Sequence, residues 1–78
     1  MSKVIDVRTI MPMDRHRLIF EAYDALDNGE IFLLVSDHDP KPLHHQFEAT
    51  HPDEYSWTYV QQGPETWQVE IKRTMPQG

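Results

Sequence analysis

Between Ser36 and Gln46 the chain reads S-D-H-D-P-K-P-L-H-H-Q, which crowds three histidines, two aspartates, a lysine and two prolines into one short stretch. A second group, Met11-Pro12-Met13-Asp14-Arg15-His16-Arg17, adds another histidine and two arginines. Residues of these types can ligate a metal, hold an anion or move a proton. A metal needs three or four nitrogen or oxygen donors converging at about 2.0–2.2 Å. His44 and His45 are adjacent, and neighbours on a helix diverge by about 100°, so they do not readily serve one ion. His16, His38 and Asp39 make the better metal set, although no H-x-x-x-H or H-E-x-x-H spacing sharpens it. His51 sits beside Pro52 and reads as a solvated residue at a helix end, where a cation suits the negative pole.

For an anion, the candidates are Arg8, Arg15, His16, His38, Asp39 and Lys41, with Arg17 nearby. Arg8, Arg15, Arg17 and Lys41 are four of the seven basic residues in the chain. Helix starts carrying basic side chains suit a small anion or the carboxylate of a partner. Against this, Asp14, Asp37 and Asp39 would neutralise those cations in surface pairs, each worth little. Nucleophilic catalysis has weaker support. There is no cysteine, and the adjacent Ser36-Asp37-His38 cannot act as a triad, because neighbouring side chains on an extended segment point apart. No catalytic residue is assigned.

These groups depend on the elements that carry them. Val4 to Arg8 alternates apolar and polar residues and reads as a short strand. From Asp14 the period changes: Leu18, Ile19, Ala22, Tyr23 and Leu26 form one stripe of an amphipathic helix, which Asn28-Gly29 would stop. Ile31 to Val35 is apolar on both alternations, as in a strand covered on both faces. The helix between makes a β-α-β crossover, so the two strands run parallel and both helix starts open on one rim. Open α/β sheets bind ligands at that edge. Asp39 is placed to cap a second helix with Pro40 at its first position, Leu43 and Phe47 facing inward, and Pro52 at its end. Tyr55 to Val60 and Thr66 to Lys72 alternate as strands, and the Gln62-Gly63-Pro64-Glu65 turn is too short for anything but a hairpin. The expected architecture is a two-layer α/β (α+β) sandwich in the order β-α-β-α-β-β, a four-stranded mixed sheet with both helices on one face. Residues 1–73 form one domain, and 74–78 read as a disordered tail.

Composition narrows the functions. The chain has 78 residues, with 13 Asp and Glu against 7 Lys and Arg, a formal charge of −6. Such a surface repels nucleic-acid backbones and anionic membranes, so neither is an expected partner. The N-terminal M-S-K-V-I-D-V lacks the apolar core of a signal peptide, and no run is long enough to span a membrane. The expectation is a cytoplasmic protein. A two-layer fold also leaves one sheet face open, and exposed apolar patches mark protein partners or self-association. Phe32, Leu34, Trp57 and Trp67 are the candidates for that face.

Asp6-Val7-Arg8, the Met11 to His16 run, Ile19-Phe20, Asp24-Ala25-Leu26, Asp37-His38-Asp39-Pro40-Lys41-Pro42-Leu43, Gln46-Phe47, and Gly63-Pro64-Glu65 with Trp67 and Val69 resemble the uncharacterised bacterial family DUF2249. The resemblance spans nearly the whole chain. It implies the element order of the SirA/TusA-like sulfur carriers, and an association with hemerythrin-like or cupin-like domains as partners. By that route it implies a setting in redox, oxygen or nitric-oxide physiology. The carriers bear sulfur on the cysteine of a C-P-x-P motif opening the first helix. Here Met11-Pro12-Met13-Asp14 stands in that place. A thioether has no ionisable S–H and cannot carry a persulfide, so sulfur transfer of that kind is disfavoured. The reading is a small accessory or binding module, for protein or for a small anion, with no cofactor. The alternative is a metal- or anion-dependent enzyme or sensor built on His16 and His38.

Overall fold

The computed structural model describes residues 3–74. β1 (Lys3–Asp6) and β2 (Ile31–Ser36) lie side by side in parallel, because α1 (Pro12–Asp24) carries the chain back between them. α2 (Lys41–Thr50) makes the second return and leads into a hairpin of β3 (Tyr55–Gln62) and β4 (Trp67–Arg73). β4 then enters between β2 and β3, so the sheet runs β1-β2-β4-β3 with only the first pair parallel. The expected element order and mixed four-stranded sheet are therefore present.

The two helices cover one sheet face, and strand periodicity decides which side chains lie beneath them. On β2, Phe32 and Leu34 point to the helices and are fully buried, opposite Ile71 and Val69 of β4. Ile19, Tyr23 and Leu26 of the first helical stripe and its extension close on them from above, with Leu43 and Phe47 of α2. Tyr55, Trp57 and Tyr59 pack against the same cluster. This corrects the expected interaction face. Phe32 and Leu34 belong to the core, and Trp57 and Trp67, in register with Ile71 and Ser36, lie on the helix side and are half-buried. The open face carries the other alternation: Val4, Ile31, Leu33, Glu70 and Lys72.

Several ends differ from the sequence reading. α1 opens with Pro12 in its first turn rather than at Asp14, since proline has no N–H to lose there. It stops at Asp24, with Ala25 as its C-cap, four residues before Asn28. Gly29 instead serves the loop, at φ 90°, where its N–H donates to the Arg73 carbonyl at 2.7 Å. Arg73 returns the contact: its guanidinium donates to the Asp24 and Leu26 carbonyls at 3.0 and 2.9 Å and lies over the Tyr23 ring. The last strand thus caps the first helix. β3 extends two residues beyond Val60, with a bulge between Tyr59 and Gln61. Thr74 is bonded through its N–H to the Glu54 carbonyl, and the rest of the expected tail, 75–78, lies outside the described residues.

The hairpin turn needs its glycine for two reasons. Gly63 has φ 67°, and a Cβ there would stand 2.9 Å from the Trp67 ring. Gly29 shares the left-handed backbone but faces open space. Gly29→Ala should therefore cost about 1–2 kcal/mol from backbone strain alone. Gly63→Ala should cost about 2–4 kcal/mol, because the indole must also move. Urea unfolding of both variants measures the difference, and equal losses would show that the ring offers no resistance.

Candidate functional site

Parallel pairing brings the loop after β1 and the loop after β2 to one edge of the sheet. Arg15, on the second turn of α1, joins them. Its Nε donates to the Ile10 carbonyl at 2.8 Å and its Nη2 to the Arg8 carbonyl at 3.4 Å, while Nη1 meets Asp37 Oδ1 at 3.0 Å. The Arg15 side chain is only 11% exposed. Asp37 in turn accepts from His38 Nδ1 at 2.7 Å. The Arg15 guanidinium, with the His38 ring behind it, holds the Asp37 carboxyl down to about 2.

Beside this network lies a cleft of about 50 Å³ between the helices. His16 and His38 stand on its walls, Ser36 and Leu34 belong to its β2 side, and Pro40, Pro42 and Leu43 bring the start of α2 to it. His16 Nδ1 meets Gln46 Oε1 at 2.8 Å. Gln46 Oε1 and the Asp37 carboxylate only accept, so each imidazole is oriented through its Nδ1 and turns Nε2 away from that bond. Neither helix start has a side-chain cap. At α2 the N–H groups of Lys41 and Leu43 consequently lack an intrahelical partner.

A second, open groove of about 550 Å³ runs between α2 and β3, lined by Asp39, Lys41, His44, His45, Glu48 and Tyr59, with Gln62 at its end. Its carboxylates are occupied. Tyr59 donates to Asp39 Oδ1 at 2.7 Å, and Tyr55 donates to Glu48. Burial and then the Glu48 bond push the Tyr55 hydroxyl up to about 12. Tyr59 is also raised, by burial first and the Asp39 bond second; the nearby Trp57 indole works the other way without reaching hydrogen-bond geometry. The His44 ring stacks on Trp57 at 4.5 Å between centroids.

A family model described as an uncharacterized conserved protein, DUF2249, matches residues 4–73. The chain belongs to this family. No curated protein and no solved structure matches it.

In this DUF2249 chain, the rim residues named from sequence divide into two sets. Arg15, His16 and His38 come together at the cleft. Asp39 and Lys41 line the neighbouring groove, because Tyr59 draws Asp39 toward β3. The Arg8 side chain turns back onto Asp6 at 2.7 Å and contributes only its carbonyl. Arg17 likewise meets Asp14 at 3.5 Å, so three of the four rim cations are paired and only Lys41 has no ion pair among the described residues. The proposed metal set His16, His38 and Asp39 does not converge, and no three His, Asp or Glu side chains among the described residues are grouped to hold an ion. Asp39 does not cap α2. His51 is no solvated end: its ring stacks on Phe20 and meets Tyr23 edge-on at 4.9 Å.

Two participants escaped the sequence reading. Ser36 reads as a turn residue, yet as the last residue of β2 it is 3% exposed and belongs to the cleft. Extending the Ile31 to Val35 alternation by one position would have placed it beside Phe32 and Leu34. Gln46 lies seven residues after Asp39, and only the helix-to-helix contact reveals its bond to His16.

Because the Asp37 pKa is lowered in the fold, its stabilising contacts are complete above the ordinary carboxylate value near 3.9 and are lost as pH falls through about 2. A carbon-detected NMR titration of the Asp37 carboxyl should give a midpoint near 2, moving toward 3.9 in Arg15→Ala. A midpoint near 3.9 in the unaltered protein would refute the network.

Proposed function

We propose that this protein is a small non-enzymatic binding module that takes a small oxyanion or carboxylate group in the cleft between α1 and α2. The observation that carries this reading is the pair of anchored imidazoles. His16 and His38 come from different loops and helices, line one cleft, and each has its Nδ1 fixed by an acceptor of the protein itself. Anchoring sets ring orientation before any ligand arrives, so less freedom is lost on binding. The uncapped start of α2 adds the N–H group of Leu43 and the positive end of the helix.

The cleft volume of about 50 Å³ suits a carboxylate or an inorganic oxyanion rather than a larger metabolite. Arg15 acts as a strut: with Asp37 bound, its charge is already matched, so recognition falls to the histidines and the helix start. An enzymatic role finds less support, since the His38 ring is engaged by Asp37 and the Ser36 hydroxyl meets the His38 backbone N–H rather than the ring. The accessory role in cytoplasmic redox, oxygen or nitric-oxide physiology rests on the family resemblance alone.

Amide chemical-shift mapping with acetate, phosphate and sulfate tests the reading. Millimolar binding should move the Leu43 amide and weaken about tenfold in His38→Ala and in His16→Ala. Absence of a shift at this amide up to about 100 mM anion would overturn it.

A further inference from the structure

The open sheet face is not uniformly polar. Strand register sets its side chains in rows across the sheet. One row runs Val4, Leu33, Glu70 and Thr58, and the next runs Ile31, Lys72 and Ser56. Val60, unpaired at the β3 bulge, lies beyond the first row on the Gln68 side, and Val4, Ile31, Leu33, Val60 and Glu70 enclose a shallow depression of about 360 Å³. Val4 and Val60 are 60% and 53% exposed. Glu70 and Lys72 sit two residues apart on the inner strand β4, roughly 7 Å from each other along it. Neither makes a salt bridge among the described residues, and Glu70 stands amid aliphatic groups with its charge unmatched.

Any occupant of this face must answer one carboxylate and one ammonium in adjacent rows, with aliphatic side chains beside both. A second copy of the same chain does so. A two-fold axis lying in the plane of the face, perpendicular to the strands and midway between the two rows, places Glu70 over Lys72 of the second copy and Lys72 over its Glu70. The same rotation lays Leu33 over Ile31 of the second copy, and the sheets stack about 10 Å apart in the aligned manner of a β-sandwich. A rotation about an axis along the strands instead stacks like charges or leaves them opposite aliphatics. We infer that the open face is a self-complementary surface through which two copies of this protein pair face to face, Glu70 of each on Lys72 of the other.

The size of the face sets the strength. Four strands about 4.8 Å apart and some five residues of about 3.3 Å rise give a patch of roughly 300 Å². A stable interface buries about 800 Å² on each partner. The dimer is therefore weak and reversible, formed at high protein concentration.

Sedimentation equilibrium from about 10 µM to 1 mM tests the pairing, with circular dichroism confirming that each variant folds. The unaltered protein should show a reversible monomer–dimer equilibrium. Glu70→Lys puts two ammonium groups on each face, and Lys72→Glu two carboxylates; each should weaken association at least tenfold. The exchanged variant carrying both Glu70→Lys and Lys72→Glu should recover it to within about threefold. A monomer at 1 mM would overturn the inference and leave the face to a different protein. A dimer indifferent to both single changes would overturn it in favour of pairing through the β3 edge, and failure of the exchanged variant to recover would remove the register.

Discussion

The Arg15 guanidinium ties together the two loops that parallel strand pairing brings to one end of the sheet. Parallel strands leave two loops side by side at one end of the sheet, each with carbonyls that no ladder satisfies. Arg15 comes from α1 and satisfies two carbonyls of the first loop while its other edge meets the carboxylate opening the second. The planar, multi-donor head makes this possible; a lysine ammonium at the same position is a point charge with no comparable fork. Through that junction the crossover, the orientation of Asp37 and the angle of the His38 ring become one arrangement. The charge lies at the base of the rim, and the cleft above it inherits fixed walls.

A second organisation holds the opposite half of the helical layer. Phe47 stacks against Phe20 at 4.4 Å and meets Tyr23, His51, Tyr55 and Trp57 around its edge. Aromatic groups fill volume with few rotatable bonds, so a short chain obtains a rigid contact between α1, α2 and β3 at modest entropic cost. Their polar tips are turned outward to acceptors: Tyr23 to the Glu54 carbonyl, Tyr55 to Glu48 and Tyr59 to Asp39. This explains why Asp39 and Glu48 are withdrawn from the chemistry of the groove they line.

Periodicity made the elements legible, and long-range partners did not. The Leu18 to Leu26 spacing, the Ile31 to Val35 run and the two alternating strands each forced one assignment, so the sheet and helices follow from local pattern. Which face of β2 would be covered could not be read that way, because both of its alternations are apolar. Phe32 and Leu34 lie under the helices, and Ile31 and Leu33 on the other face remain partly exposed. The site was half legible. His16, His38 and Arg15 were placed together by the crossover alone, but counting cations along the chain overstated the charge of the rim, since Asp6, Asp14 and Asp37 each answer one arginine. The side chain of Asp39 was misplaced because a tyrosine twenty positions later competes for it better than the helix start does.

The position of β4 bears on how the protein emerges from the ribosome. It is made after every other element of the fold, yet it lies inside the sheet, bonded to β2 on one side and to β3 on the other. Until its residues leave the exit tunnel, β2 lacks its antiparallel neighbour, β3 lacks any sheet to join, and α1 lacks the guanidinium that closes its C-terminal end. The four-stranded sheet therefore requires the last strand to be made, since nothing else joins β2 to β3.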